Sequence, residues 1–219
     1  MRHILRHFFL CAVLLAAAMP GTAAEMPTTG PDGVGLTGRS ETAEWIDRFF
    51  TVNERAWTFS TGYYAPTQRF RDINLKTFEL ARAWRFSSAL ELRAEGGLFR
   101  ADGTRNDAPS GISPDSTATG MSGGLGVRLV AIDLGPAHLF AEGSAHILWT
   151  PSQPFPAGGT GVNWFLRGGG GLSYDLAPRL AIEVGYHRAH VSNSSGLAPQ
   201  NPQWNGQGGF LSLQRRFGP

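Results

Sequence analysis

Two side chains near the C-terminal end carry the types and spacing that chemistry needs. His190 and Ser192 close an alternating run, Leu180-Ala181-Ile182-Glu183-Val184-Gly185-Tyr186, that continues through His187-Arg188-Ala189-His190-Val191-Ser192-Asn193. On a strand, residues two apart share a face, so His190 and Ser192 stand in register with Leu180, Ile182, Val184 and Tyr186. A serine hydroxyl is a poor nucleophile until a base takes its proton. An imidazole, with a reference pKa of about 6.5, can act as that base near neutral pH. A base and a hydroxyl at the end of an apolar stripe suit attack on a greasy substrate.

The elements that must position this pair are strands. From Trp57 onward no helical period persists, and eight segments alternate: 57–65, 72–86, 89–100, 119–133, 137–150, 161–175, 180–191 and 208–217. Most are longer than the five or six residues usual in soluble sandwiches, and they reach the 9–11 residues that cross a bilayer at a tilt. Tight turns at Ser87-Ser88, Gly135-Pro136 and Ala177-Pro178 alternate with longer polar connections at 66–71, 101–118, 151–160 and 192–207. An even strand count with short turns on one side and long loops on the other predicts an all-β fold, an eight-stranded antiparallel transmembrane β-barrel of the outer-membrane type.

The faces agree with that fold. In 137–150, Leu139, Ala141, Ala145, Ile147 and Trp149 oppose His138, Glu142, Ser144 and His146. In 89–100, Leu90, Leu92, Ala94 and Leu98 oppose Glu91, Arg93 and Glu95. A face bearing Glu and Arg cannot meet lipid cheaply, so it points into a small barrel filled with paired side chains. By the same parity Glu183, Gly185 and His187 point inward, while His190 and Ser192 point outward at the long-loop end.

The N-terminus reads as an export signal. Basic residues Arg2 and Arg6 precede the apolar run 8–18, Pro20-Gly21 breaks it, and Thr22-Ala23-Ala24 offers small residues for cleavage. Residues 1–24 are thus expected to be a signal peptide, 25–56 a lead that is either ill-ordered or holds one short amphipathic helix at Glu41–Phe50, and 57–219 the barrel. The single Cys, Cys11, leaves with the signal, so no disulfide, Cys-type metal cluster or lipid anchor is expected. The net charge of +2 is accounted for by Arg2 and Arg6, which gives no support to nucleic-acid binding. The glycine-rich stretches Gly123-Gly124 and Gly168–Gly171 lack the Lys-Ser/Thr and following helix of a phosphate loop. Tight barrel curvature accounts for them.

The run Gly185-Tyr186-His187-Arg188-Ala189-His190-Val191-Ser192-Asn193, with Asn201-Pro202 beyond it and a closing strand rich in Gly and Phe, resembles the lipid A 3-O-deacylase (PagL-type acyloxyacyl hydrolase) family over about the last forty residues. The resemblance implies an outer-membrane esterase, without cofactor, that removes the 3-O-linked acyl chain of lipid A in lipopolysaccharide. Ser192 is then the nucleophile and His190 its general base. The Asn193 amide serves the oxyanion, helped by a backbone N–H near Ser195. Independently of the family, an acyl chain lying along Ile182, Val184 and Tyr186 stays in lipid, and Arg188 on the same face either meets a phosphate or simply snorkels to the interface. The family's acidic third member, about a dozen residues past the serine, has no counterpart, because Gln203, Trp204 and Asn205 stand there and no Asp or Glu follows Glu183. Glu183 itself is about 30 Å of strand from Ser192. An amide can orient a catalytic imidazole, and Asn205 is the residue assigned to that role.

Two other readings fit the same pattern. One is a non-enzymatic outer-membrane barrel, structural or adhesive, whose long loops bind. The other is a soluble periplasmic barrel with its apolar face turned inward around a ligand, as in lipocalins.

Overall fold

The computed structural model describes residues 54–68, 71–106, 115–193 and 202–218. The expected signal peptide, the candidate helix at 41–50, Ser195 and Asn201 lie outside them. Eight strands follow in order: β1 Glu54–Pro66, β2 Arg71–Arg85, β3 Leu90–Arg105, β4 Ala118–Asp133, β5 Ala137–Trp149, β6 Val162–Ala177, β7 Leu180–Ser192 and β8 Trp204–Phe217. Each pairs antiparallel with its chain neighbours, and β1 pairs with β8 to close the barrel. The shortest strands hold 13 residues. At 3.3 Å per residue that is about 40 Å, enough to cross a hydrocarbon core of about 30 Å at a tilt.

Three strands run at least three residues past an end that their sequence pattern predicts. β1 starts at Glu54 rather than Trp57, and Glu54 is tied to Arg85 across the β1–β2 ladder at 3.1 Å. β3 continues to Arg105 because Ala101 and Asp102 still pair with Leu75 and Asn74. β8 starts at Trp204 rather than Gly208. Its polar opening residues read as loop, yet they pair with both Ala189–Val191 and the end of β1.

The outer wall is apolar. Phe59, Phe78, Leu98, Leu125, Val184 and Leu211 are each at least half exposed. The interior is charged and filled, which rules out the soluble reading with an inward apolar face. Arg128 lies at its centre: Nε and Nη2 donate to Glu142 at 2.9 and 2.7 Å, the remaining donors fork onto Glu183, and the guanidinium stacks 3.8 Å over Phe140. Glu142 also accepts from Arg93 at 3.0 Å and meets His187 Nε2 at 2.8 Å. A second cluster joins Arg167 to Glu79 at 2.6 Å and Glu95 at 2.7 Å, with His146 beside Glu95 at 2.9 Å. Buried charges survive where they are paired and hydrogen-bonded. The void among Arg93, Glu95, Glu142, Arg167 and His187 is about 10 Å³, room for one water at most.

Toward the long-loop end the filling turns apolar. Tyr64, Ile73, Leu75, Phe99, Leu148, Phe165, Val191 and Trp204 form one buried cluster. Phe155, from the β5–β6 connection, plugs it from above, 6.1 Å from both Trp204 and Phe99 ring to ring. This packed plug is the floor against which the outer ends of β7 and β8 are set.

Candidate functional site

On the upper half of β7, Ala189 and Val191 bury against the plug, which turns Arg188 and His190 to the outer wall. His190 is the register partner of Asn205 on β8. Their side chains meet, His190 Nδ1 to Asn205 Oδ1, at 2.6 Å. An amide oxygen only accepts, so Nδ1–H donates in this contact, and Nε2 is the ring nitrogen left free of Asn205.

Asn205 is in turn held by the β1–β2 connection. Its carbonyl accepts from the Thr67 backbone N–H at 2.9 Å and the Thr67 hydroxyl at 3.2 Å, and its own N–H donates to Gln68 Oε1 at 3.0 Å. The preceding residue, Trp204, is fully buried and donates its indole N–H to the Ile73 carbonyl at 2.9 Å. Sequence reading missed Thr67, Gln68 and Trp204 as supports. No local motif marks them, because Gln68 and Asn205 meet only through barrel closure, 137 residues apart.

Ser192 ends β7 opposite Trp164 of β6 and is 3% exposed, and Asn193 after it is buried too. The proton-transfer contact expected between Ser192 and His190 is not made: no hydrogen bond joins them among the described residues. Positions two apart on a strand are about 6.6 Å apart along the chain, so a contact there depends on the rotamers of both side chains and not on strand parity alone. Tyr186 and Arg188 both lie exposed on the outer wall, Tyr186 at 48%. Glu183 is fully buried in the lumen on Arg128 and takes no part. Among the described residues no group of three or more His, Cys, Asp or Glu could hold a metal ion.

No family model matches this chain, and no curated protein does. Solved structures do. The outer membrane protein OprG from Pseudomonas aeruginosa aligns with a TM-score of 0.51 at 9% identity, covering 77% of this chain and 97% of that one. Neisserial surface protein A (NspA) aligns with a TM-score of 0.49 at 12% identity, covering 75% and 96%. The fold is that of the eight-stranded outer-membrane barrels. At such identity the likeness to OprG is one of fold, and it carries no statement about the His190 region.

Proposed function

We propose that the chain is an outer-membrane esterase that removes the 3-O-linked acyl chain of lipid A, exported by cleavage of residues 1–24. The observation that carries the proposal is the short contact from His190 Nδ1 to Asn205 Oδ1, on the outer wall at the long-loop end. The contact orients the imidazole and leaves Nε2 free of Asn205, which supports its use as a base on an ester at headgroup depth whose acyl chain stays in lipid.

In the proposed reaction Ser192 Oγ turns toward His190 and attacks the ester carbonyl while Nε2 takes its proton. The Asn193 amide, with a backbone N–H near Ser195, receives the negative oxygen; such donors are often the largest single contribution to the rate. Collapse breaks the ester bond, and His190 returns the proton to the departing 3-hydroxyl of the sugar. Water, deprotonated by the same imidazole, then hydrolyses the acyl-serine and releases the fatty acid. Arg188 stands two residues below His190 on the same face, where a long guanidinium can meet a lipid A phosphate while its stem lies on the wall. Tyr186 and Val184 continue the track below it.

The second reading is a non-enzymatic outer-membrane barrel. The missing Ser192–His190 hydrogen bond favours it, and the likeness to OprG backs it better than it backs an enzyme, since that likeness reaches the barrel alone. Mass spectrometry of lipid A from cells with and without the chain separates the two. Loss of one 3-hydroxyacyl chain, abolished by Ser192→Ala, supports the esterase. An unchanged lipid A spectrum with the barrel folded in the membrane supports the wall protein.

A further inference from the structure

The short-turn end carries an unassigned cluster on the outer wall. Three rungs of the β2–β1–β8 ladder stack there: Trp84, Arg55 and Phe217; then Arg82, Trp57 and Arg215; then Leu80, Phe59 and Leu213. All nine side chains share the outward face. The Arg82 guanidinium lies 5.0 Å over the Trp57 ring, and that of Arg215 lies 6.0 Å from the Phe217 ring. The carboxylates closest in the ladder are already engaged, Glu54 with Arg85 at 3.1 Å and Asp175 with Arg216 at 2.6 Å. Arg55, Arg82 and Arg215 have no carboxylate partner among the described residues.

We propose that Arg55, Arg82 and Arg215, grouped around Trp57, form a binding site for the phosphodiester of an anionic glycerophospholipid in the leaflet at the short-turn end. The rungs supply both halves of such a ligand. Leu80, Phe59 and Leu213, one rung inward, begin the apolar belt along which acyl chains run. The guanidiniums, one rung outward, stand where a headgroup meets water. A cation at the edge of the hydrocarbon is costly without a counter-charge, and a guanidinium fork matches phosphate oxygens in geometry as well as charge. Neighbouring strands are about 4.8 Å apart, which places the Arg82 and Arg215 backbones about 10 Å from each other across Trp57. Two long side chains can close on one phosphate over that ring, with Arg55 approaching from below.

The test is native mass spectrometry of the delipidated full chain in detergent, titrated separately with a phosphatidylglycerol, a diacylglycerol of the same chains, and inorganic phosphate. The phosphatidylglycerol is expected to give a one-to-one adduct that the diacylglycerol and phosphate do not. Arg82→Gln with Arg215→Gln is expected to weaken it about tenfold or more, as the loss of charge-assisted hydrogen bonds implies. Each single substitution gives a smaller fall, and Arg100→Gln, at the other end, leaves the adduct intact. These sites are on the surface, and heat-modifiable gel mobility checks that each variant is folded. Equal binding of the diacylglycerol, an adduct with phosphate alone, or an adduct untouched by either arginine substitution overturns the proposal.

Discussion

Removing Arg128 tests how the barrel is held together. Its guanidinium makes four hydrogen bonds, two to Glu142 and two to Glu183. The two carboxylates are not equally dependent on it. Glu142 retains Arg93 at 3.0 Å and His187 at 2.8 Å, whereas Glu183, fully buried, has no other partner among the described residues. Arg128→Met therefore strands one buried carboxylate, which costs about 3–5 kcal/mol. Against a total stability of about 5–15 kcal/mol, that is about a fifth of it or more. Arg93→Met leaves Glu142 and Glu95 paired but takes from buried Glu91 the arginine 3.8 Å away, a long contact, and is expected to cost about 1.5–3 kcal/mol, the worth of a hydrogen bond to a charged group. Adding Glu183→Gln to Arg128→Met removes the stranded charge and is expected to restore about 1–3 kcal/mol, the coupling found between residues in contact. The assay is urea unfolding of the barrel in lipid vesicles, followed by tryptophan fluorescence and gel mobility. A cost below about 1 kcal/mol for Arg128→Met, or a double variant no more stable than the single, refutes the claim that the charged interior is held by pairing.

Asn205→Asp supplies the carboxylate that the site lacks, 2.6 Å from His190 Nδ1, and is expected to raise deacylation about tenfold or more, read as fatty acid released per minute. A slower variant would count against the orienting role. Gln68→Ala removes the acceptor for the Asn205 N–H at 3.0 Å and is expected to lower kcat up to about tenfold with KM unchanged, while Gln68→Glu, which keeps the acceptor, retains the rate. A change confined to KM would speak against positioning. Gly185→Ala places a Cβ 2.4 Å from the Phe210 ring, which stacks on His187 at 4.4 Å, and is expected to cost about 1–3 kcal/mol in the same unfolding assay.

The barrel was legible because its rules are local. Two-residue alternation reads out the wall on each strand by itself, and the Glu and Arg residues of β3 and β5 identify the inner face without knowledge of any partner. Alternating connection lengths then order the hairpins. What stays hidden depends on closure. Arg128 and Glu183 are 55 residues apart, and nothing in either neighbourhood says that they meet. The opening of β8 misled for a related reason: Asn205-Gly206-Gln207 is polar and glycine-bearing like a loop, yet Gly206 sits against the Trp204 indole, where a Cβ would come within 2.2 Å of the ring. At the site, parity placed His190 and Ser192 on one face but could not supply the side-chain reach between them. The contact of His190 with Asn205 follows from β7–β8 register, which strand assignment alone does not set.

The filled lumen decides where any activity of this chain must be. A solute crossing the barrel would have to displace the Phe155 plug and then part the Arg128 and Arg167 clusters, whose charge-assisted bonds are among the strongest available to side chains. The barrel therefore meets its surroundings through its loops and its outer wall. On the β7–β8 wall the polar groups gather at the two ends, His190 with Asn205 at one and Arg215 at the other, with Ile182, Val184, Leu211 and Leu213 between them. A lipid diffusing in the membrane plane reaches such groups without entering the protein, so a rigid and impermeable barrel is no obstacle to chemistry on lipids. On the proposed esterase reading, rigidity also assists such chemistry. His190 and Asn205 are on adjacent ladder positions above a packed aromatic plug, so their contact does not have to be assembled by the substrate. In the proposed reaction the remaining motion falls to Ser192, at the last position of its strand, where a side-chain rotation toward His190 disturbs no ladder pairing.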